Sequence, residues 1–152
     1  MKTIKIIGLL ILTSLFSCKS VPSSYSAEVS FVAKEEQGTI TVRSNGFGKN
    51  EKEAIKDAQK NAFNVLLFKG LPGTEINVPL VSNEYEAKNS HKDYFDNLFE
   101  NGGLFKYLMV NSSESVPVKV KGGYSTSLVL KINYNSLRKD LEQNGVIRKF
   151  GL

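Results

Sequence analysis

Apolar and polar positions alternate in two neighbouring stretches, "EVSFVAK" (28–34) and "GTITVRSNGFG" (38–48), separated by the polar gap Glu35-Glu36-Gln37-Gly38. A period of two residues predicts two strands joined by a turn. The period then lengthens. Between Glu51 and Lys69, residues Ala54, Ile55, Ala58, Ala62, Val65 and Leu66 recur at helical spacing with charges opposite them, which predicts a long amphipathic helix. Asn50 and Glu53 make a capping box at its start, while Gly70, Leu71 and Pro72 mark its end. Alanines at four-residue spacing form a smooth ridge, better suited to lying close on a sheet than to binding a ligand.

The stretch "LPGTEINVPLVSNEYEAKN" (71–89) holds two prolines and no steady period, so an extended loop along the domain edge is expected. Ser90 and Asp93 predict a second capped helix, apolar on Tyr94, Phe95, Leu98 and Phe99 and stopped by Gly102-Gly103. "FKYLMVNSS" then reads as a strand. Val116, Val118 and Val120 predict another, and Tyr124, Thr126, Leu128, Leu130 and Ile132 a third, the last two joined by a tight Gly122-Gly123 turn. A final short helix spans Ser136 to Gln143 with Leu137 and Leu141 on one side. The apolar tail Val146, Ile147, Phe150 and Leu152 either packs back or recruits a partner. This order predicts a single α+β domain over 28–152, an antiparallel sheet of four to five strands with a long Ala-rich helix and a shorter helix packed on one face.

The chain begins differently. "MKTIKIIGLLILTSLFSC" has two lysines, an apolar run from Ile6 to Leu12 and a small-residue site, the anatomy of a secretory signal peptide over 1–17. That run is too short to span a bilayer, which takes about 20 apolar residues. Cys18, the one cysteine, follows Leu15, Phe16 and Ser17, so the leader resembles a bacterial lipobox and Cys18 is expected to become an acylated (palmitoyl-type) first residue. An ordinary cleaved signal with a leftover thiol is the alternative, and the bulky Phe16 departs from the usual lipobox. Residues 18–27 read as a lipid-bearing cysteine and a Ser-rich flexible tether. The expected location is therefore the cell envelope, lipid-anchored to the outer membrane. In a Bacteroidetes-type cell the absence of acidic residues straight after Cys18 would favour the periplasmic over the outer face.

Composition narrows the function classes. The formal charge is +5, but Lys2 and Lys5 belong to the leader; removing them from the 20 basic residues leaves 18 against 15 acidic ones. A surplus of three, scattered and not striped, argues against a nucleic-acid partner. With no second cysteine, the domain's stability must come from apolar burial.

Chemical motifs are sparse. The Gly46-Phe47-Gly48-Lys49 segment before a helix invites comparison with a phosphate loop, but it lacks both the P-loop and the Gly-x-Gly-x-x-Gly spacing. Glu51 and Glu53 would repel a phosphate at that helix start. The two glycines are expected to serve a sharp strand-to-helix turn. His91 is the only histidine and has no ligating companion, so neither a metal nor a cofactor is expected. No nucleophile motif is present, and the pairs Glu35-Glu36 and Asp93-Asp96 read as solvated faces, which leaves no catalytic residue to name.

Two segments carry a resemblance. "ITVRSNGFGKNEKEAIKDAQKNAF" and "VKGGYSTSLVLKINYNSLRKDLEQNG" resemble the LPP-type small outer-membrane lipoproteins, and the FlgT-like N-terminal domain, which serves in assembly of a flagellar outer ring, is similar. The resemblance implies a βαβ-rich module without catalysis, attached to or assembled within the envelope. A non-enzymatic interaction or assembly module with an envelope-protein partner is thus the leading expectation. Its candidate contact residues are Phe47, Tyr94, Phe95, Phe99 and Phe150, besides the lipidation site Cys18. The alternatives are a small-ligand or glycan-binding lipoprotein using Tyr85, Tyr94 and Phe95, and a weak hydrolase using carboxylates.

Overall fold

A computed structural model describes residues 29–109 and 116–149. Cys18, the leader, the tether and Phe150 lie outside the described residues. The described chain is α+β, with strands β1 (Val29–Lys34), β2 (Thr39–Gly48), β3 (Val118–Val120) and β4 (Gly123–Asn133). Helices α1 (Glu51–Phe68), α2 (Glu84–Ser90), α3 (Lys92–Phe99) and α4 (Tyr134–Gln143) complete it. The sheet is antiparallel throughout, in the order β1-β2-β4-β3. Its longest ladder runs from Thr39 opposite Asn133 to Gly48 opposite Tyr124.

Strand alternation sorts this ladder into two faces. Ile40, Val42, Leu128, Leu130 and Ile132 turn inward and share one continuous core with buried residues of all four helices, from Ala58 and Phe63 through Ala87 and Phe95 to Leu137 and Leu141. Among the described residues the opposite face carries no helix. Each fully buried Leu or Phe contributes about 1.5–3 kcal/mol relative to exposure, and that core holds the fold without a disulfide.

Helix α1 forms where its periodicity places it. Asn50 accepts a hydrogen bond from the Glu53 N–H (3.0 Å), and the Glu53 carboxylate accepts from the Lys49 N–H (2.9 Å) and the Asn50 amide (2.8 Å). The far end closes on Gly70, left-handed at φ 74°, whose N–H reaches the Val65 carbonyl. The Leu80 and Val81 N–H groups then satisfy the Leu66 and Leu67 carbonyls, so the following loop caps the helix as it wraps it. Phe63 and Leu67, outside the sequence-based stripe, are also fully buried. The layer of α2 and α3 covers a second side of α1, through pairs such as Phe68–Phe95 at 5.6 Å.

Four expectations change. The loop 71–89 ends in helix α2, started by a second capping box in which Asn83 accepts from the Glu86 N–H (3.1 Å). Only Ala87 of α2 is buried, so no apolar period betrays it. Because Ser90 is the last residue of α2, it cannot cap α3; His91 stands at that junction, and no side chain caps α3. Nor does "FKYLMVNSS" give a fifth strand over its described part. Gly102, at φ 81°, opens a 3-10 turn over Gly103–Lys106 that buries Leu104, and the chain then meets the sheet at an isolated Leu108–Ile132 bridge. Helix α4 starts two residues before the predicted position, capped by Asn133, and Val146 and Ile147 pack partly against the core.

Candidate functional site

The Gly-Phe-Gly segment lies inside β2, and neither glycine has a positive φ. That corrects the expectation of a turn. Their role is close approach: a methyl at Gly46 would sit 2.7 Å from Ala58 Cβ and closer still to the Ala54 carbonyl and the Ala58 nitrogen. One at Gly48 would meet Glu53 carbon atoms at 2.5–2.6 Å. Ala54, Ala58 and Ala62 are each fully buried, and Ser44 donates to the Ala58 carbonyl at 2.7 Å. Glycines on the strand and alanines on the helix therefore let two backbones touch.

Phe47 points to the other face. It is half-buried, and a methyl on Gly123 would lie 2.9 Å from its ring tip, so the Gly122-Gly123 turn leaves room for that ring. Beyond Ser44, which pairs with Val29, the first described residue of β1, the edge of β2 is taken up by side chains of α1. Asp57 accepts from the Phe47 N–H (2.9 Å), and Asn61 donates to the Asn45 carbonyl (3.0 Å) and to Asp57 (3.1 Å). This i, i+4 pair bonds the β2 backbone as a neighbouring strand would and keeps the edge satisfied. Sequence gave no warning of it, since Asp57 and Asn61 read simply as the polar side of the helix.

Around Phe47 an open cleft of about 400 Å³ runs along Asn45, Asp57, Asn61, Val118, Ser125 and Ser127. The same sheet face, away from the described helices, continues through exposed Arg43 and half-buried Val129. Val116 and Val118 at its rim are 77% and 64% exposed.

The sequence matches no family profile, and neither curated proteins nor solved structures give a significant match.

The aromatic helix lies elsewhere and faces inward. Phe95 (4% exposed) and Phe99 (8%) are core residues, stacked at 6.4 Å, so the expectation that they offer a contact surface is corrected: tertiary packing claims them. Tyr94 is half-buried, edge-on to Phe95, and its hydroxyl donates to Asp140 Oδ2 at 2.9 Å. Tyr85 is 80% exposed, and with Phe95 inside the core these aromatics form no common platform.

Asp140 is the hub of a polar cluster that pins α3 and the 3-10 turn to α4. It also accepts from Lys106 and from the Asn144 amide (3.3 Å), with its side chain only 14% exposed. Burial opposes its ionisation, but hydrogen bonds from Lys106, Tyr107 and Tyr94 outweigh that and hold its carboxyl below the ordinary range. Burial first, then Asp140, pushes the Tyr107 hydroxyl up; for Tyr94 burial leads, followed by Tyr107 and Asp140. These groups hold the fold together and face no cleft with a free lone pair. Glu35 is bound to Thr41 (3.1 Å) and Lys131 (2.8 Å), and Asp96 to Lys92. Among the described residues no three His, Cys, Asp or Glu side chains are grouped to hold a metal ion, and His91 sits half-buried at the α2–α3 junction.

Proposed function

We propose that this is a lipid-anchored cell-envelope protein, acylated on Cys18 at the periplasmic face of the outer membrane, whose domain recognises another envelope protein and transforms no substrate. The observation that carries this reading is the sheet face that none of the described helices covers. Arg43, Asn45, Phe47, Ser127 and Val129 present a mixed apolar and polar surface on a rigid two-layer frame, while the carboxylates Asp57, Asp140 and Glu35 are held in structural hydrogen bonds. The lipobox-like leader and the resemblance to small envelope lipoproteins support the location.

Photo-crosslinking groups at Arg43 and Ser127 in cells are expected to capture a discrete envelope protein, and a group at exposed Lys52 on α1 is not. Equal capture at all three positions, or none, overturns the reading. Replacing Cys18 with alanine is expected to release the protein from membranes; retention with acyl label overturns the anchoring. A second reading, a small-ligand or glycan module, draws on the cleft that sets the Phe47 ring beside Asn45, Asn61, Ser125 and Ser127. Saturable glycan binding that is lost in Phe47→Ala, with no captured protein, would favour it.

A further inference from the structure

We propose that the folded chain modifies itself at Asn101, losing the side-chain amide through attack by the Gly102 nitrogen. Asparagine followed by glycine occurs at three places, Asn45-Gly46, Asn101-Gly102 and Asn144-Gly145. Glycine has no side chain to obstruct its own nitrogen, and it gives the backbone the freedom that ring closure needs. An unfolded chain would therefore treat the three steps alike. The fold separates them.

Asn45 lies opposite Ser127 and Gly46 opposite Thr126 in the β2–β4 ladder, and Asn61 holds the Asn45 carbonyl at 3.0 Å. Gly46 is buried against α1 where no added methyl fits, so its nitrogen cannot turn toward the amide without opening the sheet. Asn144 is exposed but tied down. Its amide donates to the Asp140 carbonyl (2.8 Å) and to Asp140 Oδ2 (3.3 Å), and the Gly145 N–H, the nucleophile of that step, donates to the Glu142 carbonyl (3.2 Å). Asn101 differs from both. It is exposed and lies between α3 and the 3-10 turn, outside either element. Its own N–H reaches the Asp96 carbonyl at 3.3 Å, but its side-chain amide and the Gly102 N–H take no partner among the described residues. Of the three steps, this one leaves both reacting groups free.

The reaction needs only water. The Gly102 nitrogen gives its proton to solvent base and bonds to Asn101 Cγ; the Cγ–Nδ2 bond breaks, and the amide nitrogen takes up a proton and leaves as ammonia. Water then opens the five-membered imide at either carbonyl. The products are aspartate and isoaspartate, the latter with one more carbon in the main chain, and nothing is oxidised or reduced. The new carboxylate stands beside Glu100 at the C-terminal end of α3, where the helix carbonyls already concentrate negative charge. Glu100 ties that end to Lys56 and Lys60 of α1, so the change falls on a joint between two helices.

The test incubates the full chain, purified as its cells process it, in mildly alkaline buffer with and without urea. Peptide mass mapping follows the gain of one mass unit at each asparagine, and chromatography separates isoaspartyl from aspartyl peptides. In the native chain residue 101 is expected to convert first. Three hydrogen bonds guard Asn144-Gly145, and breaking them holds its rate at least about tenfold lower. Residue 45 also lags, because its step waits on opening of a core strand. In urea the three rates converge. Asn101→Gln, at a side chain with no partner to lose, is expected to remove the early product and leave the unfolding midpoint unchanged. Equal native rates at the three steps, or residue 45 or 144 leading, overturns the proposal. Conversion at residue 101 to aspartate with no isoaspartate also overturns it, because direct hydrolysis would then bypass Gly102.

Discussion

Replacing Gly46 with alanine tests the packing of α1 on β2 with an outcome whose sign is diagnostic. At a glycine with ordinary φ and open space, alanine stabilises by about 0.4–1 kcal/mol because it restricts the unfolded chain. Gly46 has an ordinary φ but no space: the added methyl lies 2.7 Å from Ala58 Cβ, with the Ala54 and Ala58 backbone nearer. Carbon atoms rest about 3.5–4.0 Å apart, so α1 must retreat by about 1 Å. Overpacking of that size costs about 1–3 kcal/mol. The retreat also stretches the 2.7 Å bond from Ser44 to the Ala58 carbonyl, worth about 0.5–1.5 kcal/mol.

The expected loss is about 3 kcal/mol. With a urea m-value near 1.5 kcal/mol/M, the unfolding midpoint falls by about 2 M. The chain has no tryptophan and six tyrosines, so tyrosine fluorescence, with Tyr94 and Tyr107 in the core layer, and far-UV circular dichroism are the two probes. Coincident curves license the comparison. A second-site Ala58→Gly change removes the methyl contact but not the backbone ones, and is expected to leave most of the loss in place. A midpoint for Gly46→Ala equal to or above the parent's would refute close approach as the reason for the glycine.

Other consequences concern the polar clusters. Asp140→Asn is expected to cost about 1–3 kcal/mol, because it weakens the acceptor shared by Tyr94, Lys106 and Tyr107. The lowered pKa of Asp140 means that the folded chain binds fewer protons there than the unfolded one. Its contribution is thus complete above the unfolded value near 3.9 and fades as pH falls through the lower folded value; acid titration of stability in parent and variant checks that this part vanishes in the variant. Tyr94→Phe keeps the ring against Phe95 and loses the bond to Asp140, about 1 kcal/mol by urea unfolding; unchanged stability would return the hydroxyl to the surface chemistry of the α3 helix. Asp57→Ala combined with Asn61→Ala bares the Phe47 N–H and the Asn45 carbonyl. Concentration-dependent self-association in sedimentation is expected, and a strictly monomeric variant would count against edge protection.

The elements with regular periods were legible in the sequence, and those held by single contacts were not. Helix α1 announced itself by spacing and by the Asn50–Glu53 box, and β4 by five alternating apolar positions. Helix α2 buries only Ala87, so its sole signal was the Asn83–Glu86 box inside a proline-bearing stretch. The apolar face of α3 was read correctly as a stripe, yet one sequence cannot say whether a stripe of Phe95 and Phe99 meets solvent or a core; Phe68 and the layer over α1 decide it. The Asp57–Asn61 pair depends on how α1 lies along β2 beyond the Val29–Ser44 pair, a matter of register at long range.

The treatment of sheet edges bears on how a partner can be met. β1 carries a bulge between Phe31 and Ala33 and ends on Lys34, which pairs with Glu75. The open stretch of β2 is closed by Asp57 and Asn61, and β3 is short, lysine-bearing and preceded by Pro117. Each edge is blunted in a different way, so backbone hydrogen bonds are a poor currency for recognition here. On the proposed reading a partner instead meets side chains on the face away from the described helices, where Arg43, Asn45, Phe47 and Ser127 lie on paired strands backed by α1. Charge reversal at Arg43 should then weaken capture while leaving the unfolding midpoint unchanged. A partner that bound by strand addition would be indifferent to Arg43 and sensitive to Val118→Pro.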